Sequence, residues 1–225
     1  GGGRILNSCP TGPVCPRPEI APTRFPAMNR ILFNRLLAVC LCLTLFPAMS
    51  ASAAEDKTKG LNVGDEAPQF TLKDDQGKDW NSADHFGKKT VVIYFYPADM
   101  TGGCTKQACG FRDNAQKLKE KGIEVVGISG DSVRNHQLFK KAHDLNFTLL
   151  ADTEGKVADL FGVPYSLGEK TVFAEIDGQK ESLVRNITTQ RWTFVVGPDG
   201  KVLLKNNKVN AAEDSQQILE TLAAD

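Results

Sequence analysis

An apolar run over residues 91–96 and a second over 123–128 predict two buried strands. Between them, from about Cys104 to about Lys121, apolar residues return at helical spacing. Ala108, Phe111, Ala115 and Leu118 mark a core face, and Gly122 marks the stop. A second helix follows, capped by Asp131 or Ser132, with Val133, Leu138, Phe139 and Ala142 among its apolar positions. Residues 147–150 predict a third strand and 156–161 a short helix. Upstream, residues 70–72 form a short strand, and Asp74-Asp75-Gln76-Gly77 behind it is a hairpin turn. Residues 164–190 are β-rich, with alternation over 171–176 and a turn at Asp177-Gly178. The clearest hairpin joins 192–196 to 202–204 through Pro198-Asp199-Gly200. An amphipathic helix over 211–222 closes the chain, and the whole order of elements is that of an α/β sandwich.

Composition limits what this pattern can build. At 225 residues and 41% hydrophobic content, one good core is expected and two full domains are not. Net charge is zero, but residues 1–54 hold five arginines and one acid, Glu19, so the remainder carries 22 basic and 26 acidic residues, a net of −4. That balance offers no footprint for nucleic acid or an anionic membrane.

The first 54 residues differ from the rest. Residues 1–27 are rich in Gly, Pro and Arg without periodicity and are expected not to fold, as sequence upstream of a true start at Met28. From Met28, Arg30 and Arg35 form a positive region, 36–48 an apolar one, and Ala51-Ser52-Ala53-Ala54 a small-residue cleavage site. Residues 28–54 therefore read as a signal peptide for export, to a periplasm or the outside. An organelle transit peptide is the alternative, favoured by the arginines and scarce acids. The apolar run falls short of the ~20 residues that span a bilayer. Residues 55–60 make a polar linker to a domain over 61–225.

Of six cysteines, Cys9, Cys15, Cys40 and Cys42 lie in the part expected to be removed, leaving Cys104 and Cys109. Two cysteines five apart do not staple a fold, and no further Cys or His at close spacing completes a zinc site. Cys104 falls where the strand over 91–96 has ended at Pro97, a turn with Gly102 and Gly103 has passed, and a helix begins. The first N–H groups of a helix lack intrahelical partners and, with the helix dipole, favour a thiolate over a thiol. Cys104 is therefore a candidate nucleophile, and Cys109 its candidate redox partner. On an ideal helix their Cα atoms lie roughly 8–9 Å apart, beyond the ~7 Å a disulfide tolerates. Either the thiols never pair or the helix start unwinds in a working cycle.

The motif Pro97-x-x-x-Thr101-x-x-Cys104 resembles the active-site signature of peroxiredoxins, and a second cysteine five residues on resembles their Q type, the bacterioferritin comigratory proteins. The segment Val63-Gly64-Asp65-Glu66-Ala67-Pro68-Gln69-Phe70-Thr71-Leu72 is similar to the family's opening segment, and Arg191-Trp192-Thr193-Phe194 to its distal arginine segment. The resemblance runs from roughly Gly60 to the C-terminus. Gly102 departs from it, standing where such proteins often carry proline, and 164–190 is longer than in a minimal Q-type enzyme.

This resemblance implies a single thioredoxin-like domain, a central mixed sheet flanked by helices, and a thiol-dependent peroxidase that needs no cofactor or metal. Cys104 would be the peroxidatic cysteine, oxidised to a sulfenic acid by hydrogen peroxide or an organic hydroperoxide, and Cys109 the resolving one. Thr101 would accept from the peroxide or touch the thiolate. Arg191 would favour the thiolate and donate to an oxygen, Pro97 would shield the sulfur, and the N–H groups of Gly103 and Cys104 would be further donors. Disulfide formation would require melting of the first helical turns, where Gly110 weakens the helix by ~1 kcal/mol relative to alanine. A thioredoxin-like dithiol would recycle the enzyme, and a monomer is the expected state.

Plainer readings exist for each residue. Arg191 could pair with a surface acid, and Thr101 could be a turn residue or cap. His136 and His143 are expected to be solvated or satisfied, His85 to be unremarkable, and Trp80 and Trp192 to pack. Asn186-Ile187-Thr188 matches a glycosylation acceptor, relevant only in a eukaryotic secretory pathway. Two rival functions share the fold. A secreted thiol–disulfide oxidoreductase would use Cys-x-x-Cys, and a copper-delivery protein Cys-x-x-x-Cys with a distal histidine; the Cys-x-x-x-x-Cys spacing here fits neither.

Overall fold

A computed structural model of the chain describes residues 60–223. The predicted signal peptide, the stretch before it and nearly all of the linker lie outside the described residues. In chain order the elements are β1 (Thr71–Asp74), β2 (Asp79–Asn81), a 3-10 turn (Ser82–Asp84), β3 (Thr90–Phe95), α1 (Gly102–Glu120), β4 (Ile123–Ser129), α2 (Val133–His143) and β5 (Thr148–Ala151). There follow α3 (Lys156–Phe161), β6 (Tyr165–Ile176), β7 (Gln179–Thr189), β8 (Trp192–Val196), β9 (Val202–Asn206) and α4 (Asp214–Thr221).

β3 sits inside a mixed seven-stranded sheet of order β2-β1-β5-β4-β3-β8-β9, parallel to β4 and antiparallel to β8. With a strand on each side and a hydrophobic layer on each face, it must be apolar throughout. Its two-residue period shares the run between the layers. Val91, Ile93 and Phe95 face a core with Phe70, Trp80, α3 residues Val157, Ala158 and Phe161, and Phe194. Val92, Tyr94 and Tyr96 face a second core with Ala108, Phe111 and Leu118 of α1, Phe139 of α2, and Ile218 and Leu219 of α4. Full burial of each such side chain stabilises by ~1.5–3 kcal/mol, so this strand anchors both layers and fixes where its C-terminal end emerges.

The 164–190 segment is a separate two-stranded hairpin, β6 with β7, longer than the expected 171–176 alternation. Its turn residues Asp177 and Gly178 both have positive φ, 53° and 74°, the geometry that matches strand twist in a two-residue loop. β7 lies directly on Gly130, where a Cβ would come within 2.4 Å of the Ile187 carbonyl oxygen.

Beyond β3, the segment from Tyr96 to Thr101 is fastened from beneath by a buried polar cluster. Tyr96 Oη donates to Asp99 Oδ1 at 2.7 Å, and His136 Nδ1 pairs with Asp99 Oδ2 at 2.8 Å. The Asp99 N–H donates to Asp131 Oδ2 at 2.9 Å, and Asp131 also accepts from Ser129 Oγ and Asn135 Nδ2. Asp99, Asp131 and His136 are wholly buried. The hairpin joins in: Thr189 Oγ1 donates to the Tyr96 carbonyl at 2.8 Å, and Asn135 Nδ2 to the Val184 carbonyl at 3.0 Å. His136 is thus a core histidine paired through Nδ1, while its buried Nε2 has no hydrogen-bond partner among the described residues, and His85 pairs with Glu124 at 2.8 Å.

Burial opposes charge on His136, but the Asp99 carboxylate, by its charge and hydrogen bond, and Asp131 carry its pKa above the usual histidine value. A histidine raised in this way stabilises fully below its unfolded pKa, about 6.5, and loses that contribution as pH rises through the folded value. Melting temperature is therefore expected to fall on the alkaline side of neutrality. His136→Gln should cost roughly 3–5 kcal/mol near pH 6, by leaving Asp99 buried without its partner, and should flatten that fall; an unchanged slope would exclude the pair as its source. A second expectation concerns Gly102. It is the first residue of α1, a position that favours proline, its own N–H has no helical partner, and the preceding Thr101 is extended at φ −91° and ψ 145°. Apart from its chain neighbours and the helix's own backbone, no atom of the described residues lies within 4 Å of a Cβ placed there. Gly102→Pro should stabilise the protein by about 0.4–1 kcal/mol, read as a higher denaturant midpoint.

Candidate active site

The loop fastened beneath Asp99 delivers the chain into α1 with an abrupt change of direction at Met100, whose φ of 61° is left-handed. Helix α1 begins two residues earlier than the sequence pattern indicated, so Cys104 is its third residue rather than its first. The first helical bond runs from the Thr105 N–H to the Thr101 carbonyl at 2.8 Å. The N–H groups of Gly102, Gly103 and Cys104 therefore have no intrahelical acceptor. Thr101 occupies the N-cap position without capping through its side chain. Its hydroxyl donates to the Ala98 carbonyl at 3.0 Å, so its lone pairs are what it can turn towards the site.

Cys104 is 1% exposed, and the Arg191 guanidinium reaches it from the start of β8: Nη2 donates to Sγ at 3.2 Å. A Cβ at Gly103 would stand 3.3 Å from that same Nη2, so the absence of a side chain there admits the guanidinium. Pro97 is partly buried at the mouth of the loop. Of the residues expected from sequence, Cys104, Gly103 and Arg191 are thus in direct proximity, with Thr101 and Pro97 on the adjoining loop. Cys109 stands apart. Both cysteines are free, Cys109 is partly buried, and an unbroken α1 separates them.

Behind Arg191 lies a relay with no local sequence signal. Arg191 Nη1 donates to Gln107 Oε1, Gln107 Nε2 donates to Asp214 Oδ2 at 2.7 Å, and Thr193 Oγ1 donates to the same oxygen at 2.8 Å. Gln107, Thr193 and Asp214 are buried. The amide of Gln107 presents its oxygen to the cation and its nitrogen to the carboxylate, so the guanidinium is held in one orientation. Burial pushes the Asp214 carboxyl above its usual pKa, against the pull of Gln107, Thr193 and Arg191. Gln107 could have been noticed as a polar residue one turn from Cys104 on the same face. Asp214 is 107 residues away and could not.

A buried sulfur facing a guanidinium and unpaired helix N–H groups can bear negative charge and present donors to a neighbouring oxygen. Among the described residues, no group of three or more His, Cys, Asp or Glu side chains gathers as a metal site, and no helix is long and apolar enough to cross a membrane. An open groove of about 710 Å³ lies at the opposite ends of β3 and β4, lined by Lys89, Phe111 and Glu124 among others, and shares none of these site residues.

Comparison with known proteins agrees with this geometry. The AhpC/TSA family model matches residues 63–205. A chloroplastic peroxiredoxin Q of Gentiana triflora is 41% identical over 179 residues, covering 80% of this chain and 73% of the relative. A putative bcp peroxiredoxin of Coxiella burnetii is 50% identical over 142 residues, or 63% of this chain and 85% of that one. Among solved structures, the peroxidoxin BcpB of Mycobacterium tuberculosis is 33% identical with a TM-score of 0.61, covering 73% of this chain and 97% of its own. Sulfur, guanidinium and helix start therefore stand in a known setting: the chain belongs to the AhpC/TSA family, as a thiol-dependent peroxidase of the peroxiredoxin Q, or bacterioferritin comigratory protein, type.

Proposed function

We propose that the chain reduces hydrogen peroxide and organic hydroperoxides through a sulfenic acid on Cys104 and an intramolecular Cys104–Cys109 disulfide. The observation that carries the reading is the 3.2 Å contact between Arg191 and Cys104 Sγ at the open start of α1. The sulfur of Cys104 attacks the near peroxide oxygen, an S–O bond forms and the O–O bond breaks. The sulfur is oxidised by two electrons, and the departing oxygen takes a proton to leave as water or an alcohol. Arg191 and the N–H groups of Gly103 and Cys104 follow the charge from sulfur to that oxygen. Thr101 accepts from the protonated peroxide oxygen, and Pro97 narrows the approach to the sulfur.

The thiolate of Cys109 then attacks the sulfenic sulfur; an S–S bond forms, the S–O bond breaks, and hydroxide leaves to become water. The intact helix holds the two Cα atoms roughly 8–9 Å apart, so this step runs through a locally unwound state of α1. A thioredoxin-like dithiol returns both cysteines to thiols by exchange, its own sulfurs leaving as a disulfide. Action as a monomer is the expectation that the family resemblance carries. The chloroplastic plant relatives favour delivery to an organelle over export to a periplasm or the outside.

Stopped-flow peroxide reduction tests the assignment. Cys104→Ser should abolish rapid turnover, and retention of it would overturn the reading. Cys109→Ser should keep the first turnover and lose recycling through the intramolecular disulfide, mapped by mass spectrometry. Arg191→Met should lower the second-order rate constant by about 10²–10³, the usual loss on removing a donor that follows developing charge. For targeting, residues 28–54 fused to a fluorescent protein should carry it into chloroplasts; fluorescence left in the cytosol would refute delivery.

A further inference from the structure

The contacts between α1 and α4 begin between the two cysteines and run on along α1 beyond them. Gln107, between them, gives its Nε2 hydrogen to Asp214 Oδ2 at 2.7 Å. Gly110 lies against Ser215: a Cβ there would stand 3.0 Å from Ser215 Oγ and 3.9 Å from Ser215 Cβ. One turn on, Asn114 Nδ2 donates to Ser215 Oγ at 3.0 Å, and Phe111 is fully buried with its ring stacked on Tyr94 at 4.9 Å between centroids. Beyond Gly110, then, α1 is fixed to the core. Before it, the buried polar hold on the segment between the cysteines is Gln107.

We infer that the first turn of α4 is a latch on the resolving step: by holding Gln107, Asp214 sets how often the segment between Cys104 and Cys109 opens to let the two sulfurs meet. This rests on the disulfide mechanism proposed above. Opening the segment moves Gln107 and so breaks its bonds to both Arg191 and Asp214. Asp214 is then left buried with Thr193 as its hydrogen-bond donor, because its Oδ1 has no partner even in the closed state. Stranding a buried carboxylate is costly, so the closed helix is favoured by a contact remote in sequence from either cysteine. Resolution competes with a second peroxide for the sulfenic acid, whose further oxidation gives a sulfinic acid. The latch therefore also sets how much peroxide the enzyme withstands. Asp214 is a positioning residue in this scheme, touching neither sulfur nor peroxide.

The experiment reads two phases in stopped flow, one proportional to peroxide concentration and one independent of it, together with the sulfinic acid formed at high peroxide. Asp214→Asn keeps the shape and weakens the hold on Gln107. It should speed the concentration-independent phase by about tenfold, equivalent to ~1.4 kcal/mol, and lower the sulfinic acid yield in proportion. A loss of general stability alone would not move that yield in step with the rate. A cycle through Gly110 and Ser215 tests the second contact made by the first turn of α4, with Asp214 retained. Gly110→Ala in a Ser215→Ala background meets ordinary contact, so its gain in helix propensity should slow resolution about fivefold (~1 kcal/mol), with the peroxide-dependent phase unchanged. Gly110→Ala alone presses on Ser215 Oγ and should slow resolution less. A resolution rate indifferent to Asp214→Asn, or strictly additive effects at Gly110 and Ser215, would overturn the latch while leaving the disulfide mechanism standing. Absence of a Cys104–Cys109 disulfide in the unsubstituted protein would overturn both.

Discussion

The site depends on a guanidinium lying 3.2 Å from a buried sulfur. Neither group could be kept there alone. A sulfur with 1% exposure has little access to water, and the guanidinium is the donor that reaches it. The guanidinium in turn needs orientation, which Gln107 and Asp214 provide from two different helices. Much of the architecture serves this meeting. β3, gripped by both cores, delivers the loop at its C-terminal end, and β8, paired beside it, begins one residue after Arg191.

The two halves of the site are held by different means, and the difference bears on the proposed cycle, in which one half would move. The loop from Tyr96 to Thr101 rests on wholly buried groups, Asp99, Asp131 and His136, linked in turn to α2 and the hairpin. The start of α1 has no side-chain cap, contains Gly102, Gly103 and Gly110, and is tied through Gln107. In the disulfide mechanism proposed above, the fixed half would retain the shape of the site while the other half opened and refolded against it.

Much of this could be read from residues near one another in sequence. The strands, the short helix over 156–161, the hairpin turn at Asp177-Gly178 and the Ser132 cap are local patterns, and each appears in the structure. Pro97, Thr101 and Cys104 form one motif within eight residues. The pattern puts the start of α1 two residues late because consecutive glycines have poor helix propensity, which the tertiary setting overrides. The relay of Gln107, Thr193 and Asp214 and the Asp99–Asp131–His136 cluster were not readable. Their partners lie 21 to 107 residues apart, and only the folded sheet brings them together. Residues 164–190 read as β-rich over the whole β6–β7 hairpin, but alternation is visible only over 171–176, because residues 165–170 are mostly exposed and lack a buried alternating face.

That hairpin has its own boundary condition. Its ends meet, since the Gln190 N–H donates to the Pro164 carbonyl at 2.8 Å, so a short peptide could bridge the gap if the arm were excised. Excision would still not be neutral. The arm supplies the hydroxyl on the Tyr96 carbonyl and the carbonyl that receives Asn135, and its Ile187 covers Gly130. Removing it would uncover a glycine and take a hydrogen-bond partner from both the Tyr96 carbonyl and Asn135, directly under the loop that leads to Cys104. An appendage that geometry would allow to be cut away has become part of the foundation.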